Sequence, residues 1–114
     1  YEDVLLADIK DAFGAATGLD YDATHITNNM KGYYPFNWSR FQHAVAAHTP
    51  AVILEMGYVS NDVDRALMLD KPDLLATAVA DGIVKFLNET PRSKIFGQDL
   101  VVPAFPSRRP TPTP

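Results

Sequence analysis

A short, almost wholly apolar run with a single carboxylate constrains the fold of this chain more than any other part of the sequence. Residues 49–61 read TPAVILEMGYVSN. A run of this length, rich in β-branched residues and bounded by Pro50 and Gly57, predicts a strand. Apolar and polar residues do not alternate along it, which predicts burial on both faces, as in a parallel sheet.

Glu55 lies at the C-terminal end of that predicted strand. Open α/β sheets bind their ligands outside the carboxyl ends of their strands, so this carboxylate is a candidate for chemistry. Three roles are open to it: a general acid or base, a metal ligand, or a hydrogen-bond acceptor for the turn at Gly57.

Apolar residues at helical spacing predict helices near both ends of the chain, over 2–17 and 73–89. A shorter helix is predicted over 38–47, and Asn61 or the serine before it is expected to cap another. Gly82 lies inside the last predicted helix, where glycine costs about 1 kcal/mol relative to alanine. We therefore expect close packing of a neighbouring element against it.

The rest of the chain offers the predicted strand no convincing neighbour. A strand that is apolar on both faces needs partners for its backbone hydrogen bonds and helices on each side. Either further strands escape the pattern, or polypeptide outside this sequence completes the sheet, and we expect the second.

Aromatic residues cluster in the middle of the chain, beginning with Tyr33 and Tyr34. Residues 33–36 fit a short strand. Pro35 limits that strand to an edge of the sheet or an irregular piece, because proline cannot donate a backbone hydrogen bond. One interpretation is that the rings cover one side of the core. The other is that Tyr33 and Tyr34, with Asn29 in the preceding loop, form a groove wall that binds a ligand such as a sugar–peptide.

Composition narrows the expected partners and cofactors. The net charge is −4 and the pI is about 5.1, so no basic surface predicts nucleic-acid binding. No apolar run approaches the roughly 18 residues that span a bilayer, so we expect no membrane span. The chain has no cysteine, and its three histidines, His25, His43 and His48, are too dispersed for a metal motif.

The two ends of the chain suggest a piece of a longer product. Residues 1–90 carry the predicted domain, and 91–102 supply apolar residues that can pack on it. Residues 103–114 combine proline with serine, threonine and arginine, which predicts an extended linker or tail. The chain begins at Tyr1 without a signal peptide, so we expect processing before it.

The central run and the helices after it carry a family resemblance. The residues concerned are Pro50 to Asn61, then Asp64, Leu67 and Leu69, then 78–87 with Asp81-Gly82-Ile83. This sequence closely resembles the C-terminal part of the zinc-dependent N-acetylmuramoyl-L-alanine amidase family, the peptidoglycan amidases. The resemblance is dense from about residue 49 to 87. It extends more loosely back through Asn29 and Tyr33 to the first helix.

The resemblance implies an α/β fold with a mostly parallel sheet flanked by helices, to which this chain supplies the C-terminal strand and helices. It implies a zinc ion held by two histidines and a glutamate, and hydrolysis of the amide between muramic acid and L-alanine. Glu55 matches the family's catalytic glutamate, which acts as general base and acid beside zinc-bound water.

One departure from the family is clear. Its zinc ligands lie upstream of this segment, and their motifs do not occur here, so no ligand is assigned to this chain. We therefore expect an N-terminal amidase fragment or second chain to complete the sheet and the zinc site. The implied location is the cell envelope or the extracellular space.

Two other functions stay open. One is a non-catalytic amidase-like module that binds the cell wall or a protein. The other is an unrelated metal-independent hydrolase that pairs Glu55 with His25, His43 or His48. That hydrolase requires one of the histidines within hydrogen-bond reach of Glu55.

Overall fold

The computed structural model describes residues 2–37, 39–45 and 49–90. Its elements are α1 (Glu2–Thr17), α2 (Asn28–Lys31), a 3-10 turn (Tyr34–Phe36), α3 (Asp62–Asp70) and α4 (Pro72–Glu89). The helices predicted at the two ends are confirmed. Gly18 ends α1 with a φ of 71°, a conformation that glycine adopts without strain.

An antiparallel pair, α1 and α4, holds the core. The core has two buried clusters, one of Leu5, Ile9 and Phe86 and the other of Phe13, Leu75 and Ala78. The start of α1 therefore packs on the end of α4, and the end of α1 packs on the start of α4. Removing this apolar surface from water is the main term that stabilises the pair.

Gly82 lets the two backbones touch. A Cβ at this position would lie 2.6 Å from Cα of Ile9 and 2.9 Å from the carbonyl oxygen of Asp8. Distances under 3 Å leave no room for a side chain. The close packing predicted at Gly82 is therefore confirmed.

Asp8 is a buried carboxylate on the face of α1 that meets α4. The ammonium of Lys85 donates a hydrogen bond to its Oδ1 and also lies 3.0 Å from a carboxylate oxygen of Glu89. These two partners, Asp8 first, raise the pKa of Lys85. A buried charge is costly unless it is paired, so Lys85 makes Asp8 tolerable in this interface.

The helix α3 attaches to this pair through Leu67 and Met68, which pack against the second buried cluster. Asn61 caps it: its side-chain oxygen accepts hydrogen bonds from the backbone N–H groups of Val63 at 2.9 Å and Asp64 at 3.2 Å. Asn61 is one of the two caps expected from the sequence, and it satisfies donors that have no partner within the helix.

The predicted α/β fold with a mostly parallel sheet is wrong for the described residues, which form helices and irregular segments without a strand. Residues 50–58, expected as a buried strand, are an irregular segment. Their composition favours a strand, but a strand exists only where another takes up its backbone hydrogen bonds. No described segment does so.

Two local predictions also differ from the structure. Residues 34–36 form a 3-10 turn with proline near its start, where the fixed φ of proline fits, instead of an edge strand. Residues 39–45, within the helix predicted over 38–47, form turns. The rest of that predicted helix lies outside the described residues.

Within the described ranges, no helix has both the length and the apolar character needed to cross a membrane. The expected extension over 91–102 and the expected linker over 103–114 lie outside the described residues.

Candidate functional site

The candidate site is built on the Glu55 segment, residues 50–58. Its first part is anchored on the core, because Val52 packs against the buried cluster of Leu5, Ile9 and Phe86. An open apolar groove continues along the same surface; its lining is Leu5, Ile9, Pro50, Ala51, Val52, Ile83, Phe86 and Leu87. One end of the segment is therefore fixed to the helix pair by apolar contact.

The other end of the Glu55 segment is fixed by a carboxylate. The backbone N–H of Tyr58 donates to Oδ2 of Asp64 at 2.9 Å. Gly57 has a φ of 153°, and a Cβ there would lie 3.0 Å from Cβ of Asp64. Both the conformation and the space favour glycine at this position. The Gly57 turn thus rests on the first turn of α3.

Glu55 lies between these two anchors with its side chain exposed. Ile53, Leu54 and Met56 around it are 49%, 37% and 41% exposed, so the burial expected on both faces of the segment is wrong. No hydrogen bond or ion pair joins the Glu55 carboxylate to another side chain in the part of the chain that the structure describes. Within the described ranges, the Glu55 carboxylate is therefore exposed and has no side-chain partner.

Sequence reasoning missed a cluster at the end of this segment, where Asp22, Thr24 and His25 meet Tyr58; it is called the Asp22 cluster. Oδ1 of Asp22 accepts from the hydroxyl of Thr24 at 2.6 Å and its backbone N–H at 3.0 Å. Oδ2 of Asp22 lies 2.5 Å from Nδ1 of His25 and accepts from the phenol of Tyr58 at 3.0 Å. An Asp followed two residues later by Thr predicts the local turn, but no local signal predicts the contact with Tyr58.

These contacts shift two pKa values. The hydrogen bond from Thr24, followed by those from His25 and Tyr58, holds the pKa of Asp22 far below its ordinary range. The hydrogen bond to Asp22 is the largest cause that raises the pKa of Tyr58, and the charges of Asp22, Glu55 and Asp64 add to it. Both shifts favour an ionised carboxylate that accepts from a protonated phenol.

The histidines do not serve Glu55. His25 contacts Asp22 through Nδ1, and no hydrogen bond joins Glu55 to His25 or His43 among the described residues. His48 lies outside those residues. The geometry gives no support to a hydrolase that pairs Glu55 with a described histidine.

Tyr33 and Tyr34, two predicted ligand-binding residues, belong to an aromatic cluster with Phe41. The ring centroids of Tyr33 and Tyr34 are 4.9 Å apart, and those of Tyr34 and Phe41 are 6.4 Å apart. All three side chains are exposed, at 48%, 45% and 40% respectively, so they do not cover the helix-pair core. Asn29 lies on α2 just before them and is also exposed.

Among the described residues, direct contacts do not link all the predicted site residues to one another. No hydrogen bond or ring contact connects the aromatic cluster to Glu55 within the described residues. Besides the core residues under Val52, the Glu55 segment is contacted by Asp64 and, through Tyr58, by Asp22 and His25. Sequence reasoning named neither carboxylate as part of the site.

The residues that the structure describes do not fit a zinc site by themselves. They contain no group of three or more histidine, aspartate or glutamate side chains arranged to hold a metal ion. Zinc in proteins takes at least three ligands from cysteine, histidine, aspartate and glutamate, and this chain has no cysteine.

No family model and no curated protein matches the sequence, and no solved structure matches the fold. The amidase resemblance therefore stays a prediction that rests on residues 49–87.

Proposed function

We propose that this chain is part of a zinc-dependent amidase that hydrolyses the N-acetylmuramoyl–L-alanine bond of peptidoglycan, with Glu55 as general base and acid. One structural observation carries the proposal. Glu55 is an exposed carboxylate on a segment held on one side by Val52, which packs against the core, and on the other by Asp64 at the Gly57 turn. An accessible carboxylate in a held position is what proton transfer requires.

The chemistry assigned to this chain is proton transfer. Amide hydrolysis needs a base that removes a proton from the attacking water and an acid that protonates the leaving amine. One carboxylate performs both steps when it first accepts the water's proton and then gives it to the nitrogen. The oxygens of Glu55 have no competing partner among the described residues.

Zinc and its ligands belong to the partner in this proposal. Because the described residues do not fit a metal site, no step is assigned to zinc here. The partner is an N-terminal amidase fragment or a second chain that brings the histidine ligands. The expected location is the cell envelope or the extracellular space, where peptidoglycan is found.

The aromatic cluster is proposed to contact the substrate. Tyr33 and Tyr34 offer exposed ring faces with hydroxyl groups, and Asn29 adds a nearby amide. Apolar faces combined with a few polar groups suit a sugar–peptide.

Glu55→Gln tests the catalytic assignment in the intact enzyme, which is this chain together with its proposed partner. The assay is the release of stem peptides from peptidoglycan. Turnover is expected to fall by about 10²–10⁴-fold, the range that general acid–base groups supply. Unfolding midpoints and zinc content are expected to stay at the wild-type level, because Glu55 is exposed. Glu2→Gln, at an exposed carboxylate at the start of α1, is the matched control and should keep full turnover. Unchanged turnover in Glu55→Gln would reject the role of Glu55.

A second function is favoured by the exposure of the aromatic cluster: a non-catalytic amidase-like module that binds the cell wall or a protein. Elemental zinc analysis and intact mass of the native material separate the two. Stoichiometric zinc with a histidine-bearing partner supports the enzyme. A metal-free 114-residue species that binds peptidoglycan without cleaving it supports the module.

A further inference from the structure

We propose that Asp22 is a positioning residue for the Glu55 segment, and that it acts through the phenol of Tyr58. The inference rests on the proposed role of Glu55 for its functional meaning. Its structural content stands on the contacts of the Asp22 cluster.

Asp22 is suited to act as an anchor because its own loop holds it. Three groups that lie within three residues of it, the backbone N–H and hydroxyl of Thr24 and Nδ1 of His25, contact its two oxygens at 2.5–3.0 Å. The phenol of Tyr58, 36 residues away in sequence, adds a fourth contact at 3.0 Å. These local contacts fix the orientation of the Asp22 carboxylate within its loop, and the carboxylate accepts the phenol in that orientation.

Tyr58 is held at both of its ends. Asp64 accepts from its backbone N–H at 2.9 Å, and Asp22 accepts from its hydroxyl at 3.0 Å. The ring of His25 packs edge-on against its ring, with centroids 5.9 Å apart. The tip, the ring and the backbone of Tyr58 thus each have a partner, and together these contacts restrain its orientation.

The restraint on Tyr58 extends to Glu55 because the two residues are close in sequence. Tyr58 follows Glu55 by three residues, and Val52 precedes it by three. With Val52 packed on the core and Tyr58 tied to Asp22, the intervening backbone is restrained from both sides. A catalytic carboxylate needs such restraint, since a misplacement of about 1 Å can cost a hundredfold in rate.

The charges around Tyr58 keep its phenol a donor. The groups that face it are Asp22, Glu55 and Asp64, all carboxylates, and the ring of His25. These carboxylates oppose phenolate formation, so the hydroxyl stays protonated and bound to Asp22 well beyond neutral pH.

The first measurement tests the contact itself on the 114-residue chain. The chain has five tyrosines, so Tyr58 ionisation is read as the difference at 295 nm between wild type and Tyr58→Phe during an alkaline titration. The Tyr58 midpoint is expected above the ordinary value of about 10. Asp22→Asn should move it down towards that value, and Asp20→Asn, an exposed carboxylate in the same loop, should leave it unchanged. A wild-type midpoint near 10 would overturn the proposal.

The second measurement tests positioning, using the backbone amide signals of Glu55 and Gly57 in ¹H–¹⁵N spectra. Asp22→Asn and Tyr58→Phe should each move these signals, and the double variant should move them no further than Tyr58→Phe alone. Signals that stay in place in Asp22→Asn, although the Tyr58 midpoint falls, would show a contact without a positioning role and would overturn the inference. Tyr58→Phe keeps the ring, so it gives a second route should Asp22→Asn fold poorly.

The third measurement separates this inference from the proposed function. In the peptidoglycan-cleaving preparation, Asp22→Asn should lower kcat by about tenfold with little change in KM, and Asp22→Glu should recover part of it. If Glu55→Gln leaves turnover intact, the proposed function fails while the spectroscopic results still decide the Asp22 contact. If Glu55→Gln abolishes turnover and Asp22→Asn changes nothing, the positioning role alone fails.

Discussion

The backbone of Gly82 on α4 lies directly against the backbone of Ile9 on α1, with no side chain between them. An added Cβ would come within 2.6 Å of Cα of Ile9. Backbone atoms cannot move aside as the end of a flexible side chain can, so an alanine here must push the helices apart. Gly82→Ala is expected to lower the free energy of unfolding by about 1–3 kcal/mol, measured by urea titration.

A matched control comes from the other helix of the pair. In α1, a Cβ at Gly14 would meet the carbonyl oxygen of Leu19 at 3.6 Å, an ordinary contact. Gly14→Ala should therefore raise stability by up to about 1 kcal/mol through helix propensity. A loss at Gly14 equal to that at Gly82 would contradict the close-contact explanation.

Lys85 supports the helix pair through the buried carboxylate of Asp8. Lys85→Met should lower the thermal midpoint, because the charge of Asp8 is left buried without its ammonium partner. Adding Asp8→Asn to that variant should recover part of the loss, since a neutral amide costs less to bury. Circular dichroism at 222 nm measures both. No recovery in the double variant would show that the packing of the lysine stem matters more than charge.

The Asp22 cluster predicts a pH dependence at both ends of the scale. Folding lowers the pKa of Asp22. The stability that Asp22 contributes is therefore complete above its ordinary pKa near 4, and it is lost as the pH falls below that value. Folding raises the pKa of Tyr58. The stability that Tyr58 contributes is therefore complete below a pH of about 10, and it is lost as the pH rises above that value. Thermal midpoints of wild type should exceed those of Asp22→Asn at pH 7, and the gap should narrow below pH 4 and above pH 10.

The cap of α3 links the stability of that helix to the candidate site. Asn61→Ala should cost about 1 kcal/mol of unfolding free energy, because two backbone donors lose their acceptor. Asn61→Asp keeps an acceptor and should stay near wild type. Because Asp64 lies in the capped turn, the amide signal of Tyr58 should move in the alanine variant. An unchanged Tyr58 amide signal in Asn61→Ala would show that the cap and the site are independent.

The exposed aromatic cluster predicts a loss of ligand binding without a loss of fold. Tyr34 contacts both of the other rings, so Tyr34→Ala should weaken co-sedimentation with insoluble peptidoglycan by up to about tenfold. Tyr21→Ala is the control, since Tyr21 is 52% exposed and has Lys10 over its ring instead of another aromatic residue. Equal binding by both variants would remove the cluster from the proposed substrate surface.

The helices α1 and α4 were predictable because their signals are local. Apolar spacing, Gly18 at the end of α1 and Pro72 at the start of α4 are each read within a few residues. Gly82 was also predictable, because glycine inside a helix needs a reason in the packing. Asp8 was missed because its burial depends on Lys85, 77 residues away, which a pattern along one helix does not reveal.

The predicted strand failed for a reason of the same kind. The run around Ile53 has the residue types of a buried strand. A strand also needs a second segment to pair with, and the local sequence of the run says nothing about whether that segment exists. The candidate site divides similarly. Glu55 and the tyrosines could be named from the sequence, whereas the contact between Asp22 and Tyr58 joins two distant loops.

The antiparallel pairing of α1 with α4 has a consequence for how the chain tolerates change. These helices are the first and last elements of the described structure, so their docking closes one large loop, residues 18–71, which carries the candidate site. The entropy of closing a loop grows only slowly with its length, by roughly 0.6 kcal/mol per doubling. Insertions after Phe41 and before the Glu55 segment, which leave the Asp22 cluster intact, should therefore cost little stability, so the chain near the site can change length while the helix pair keeps its packing.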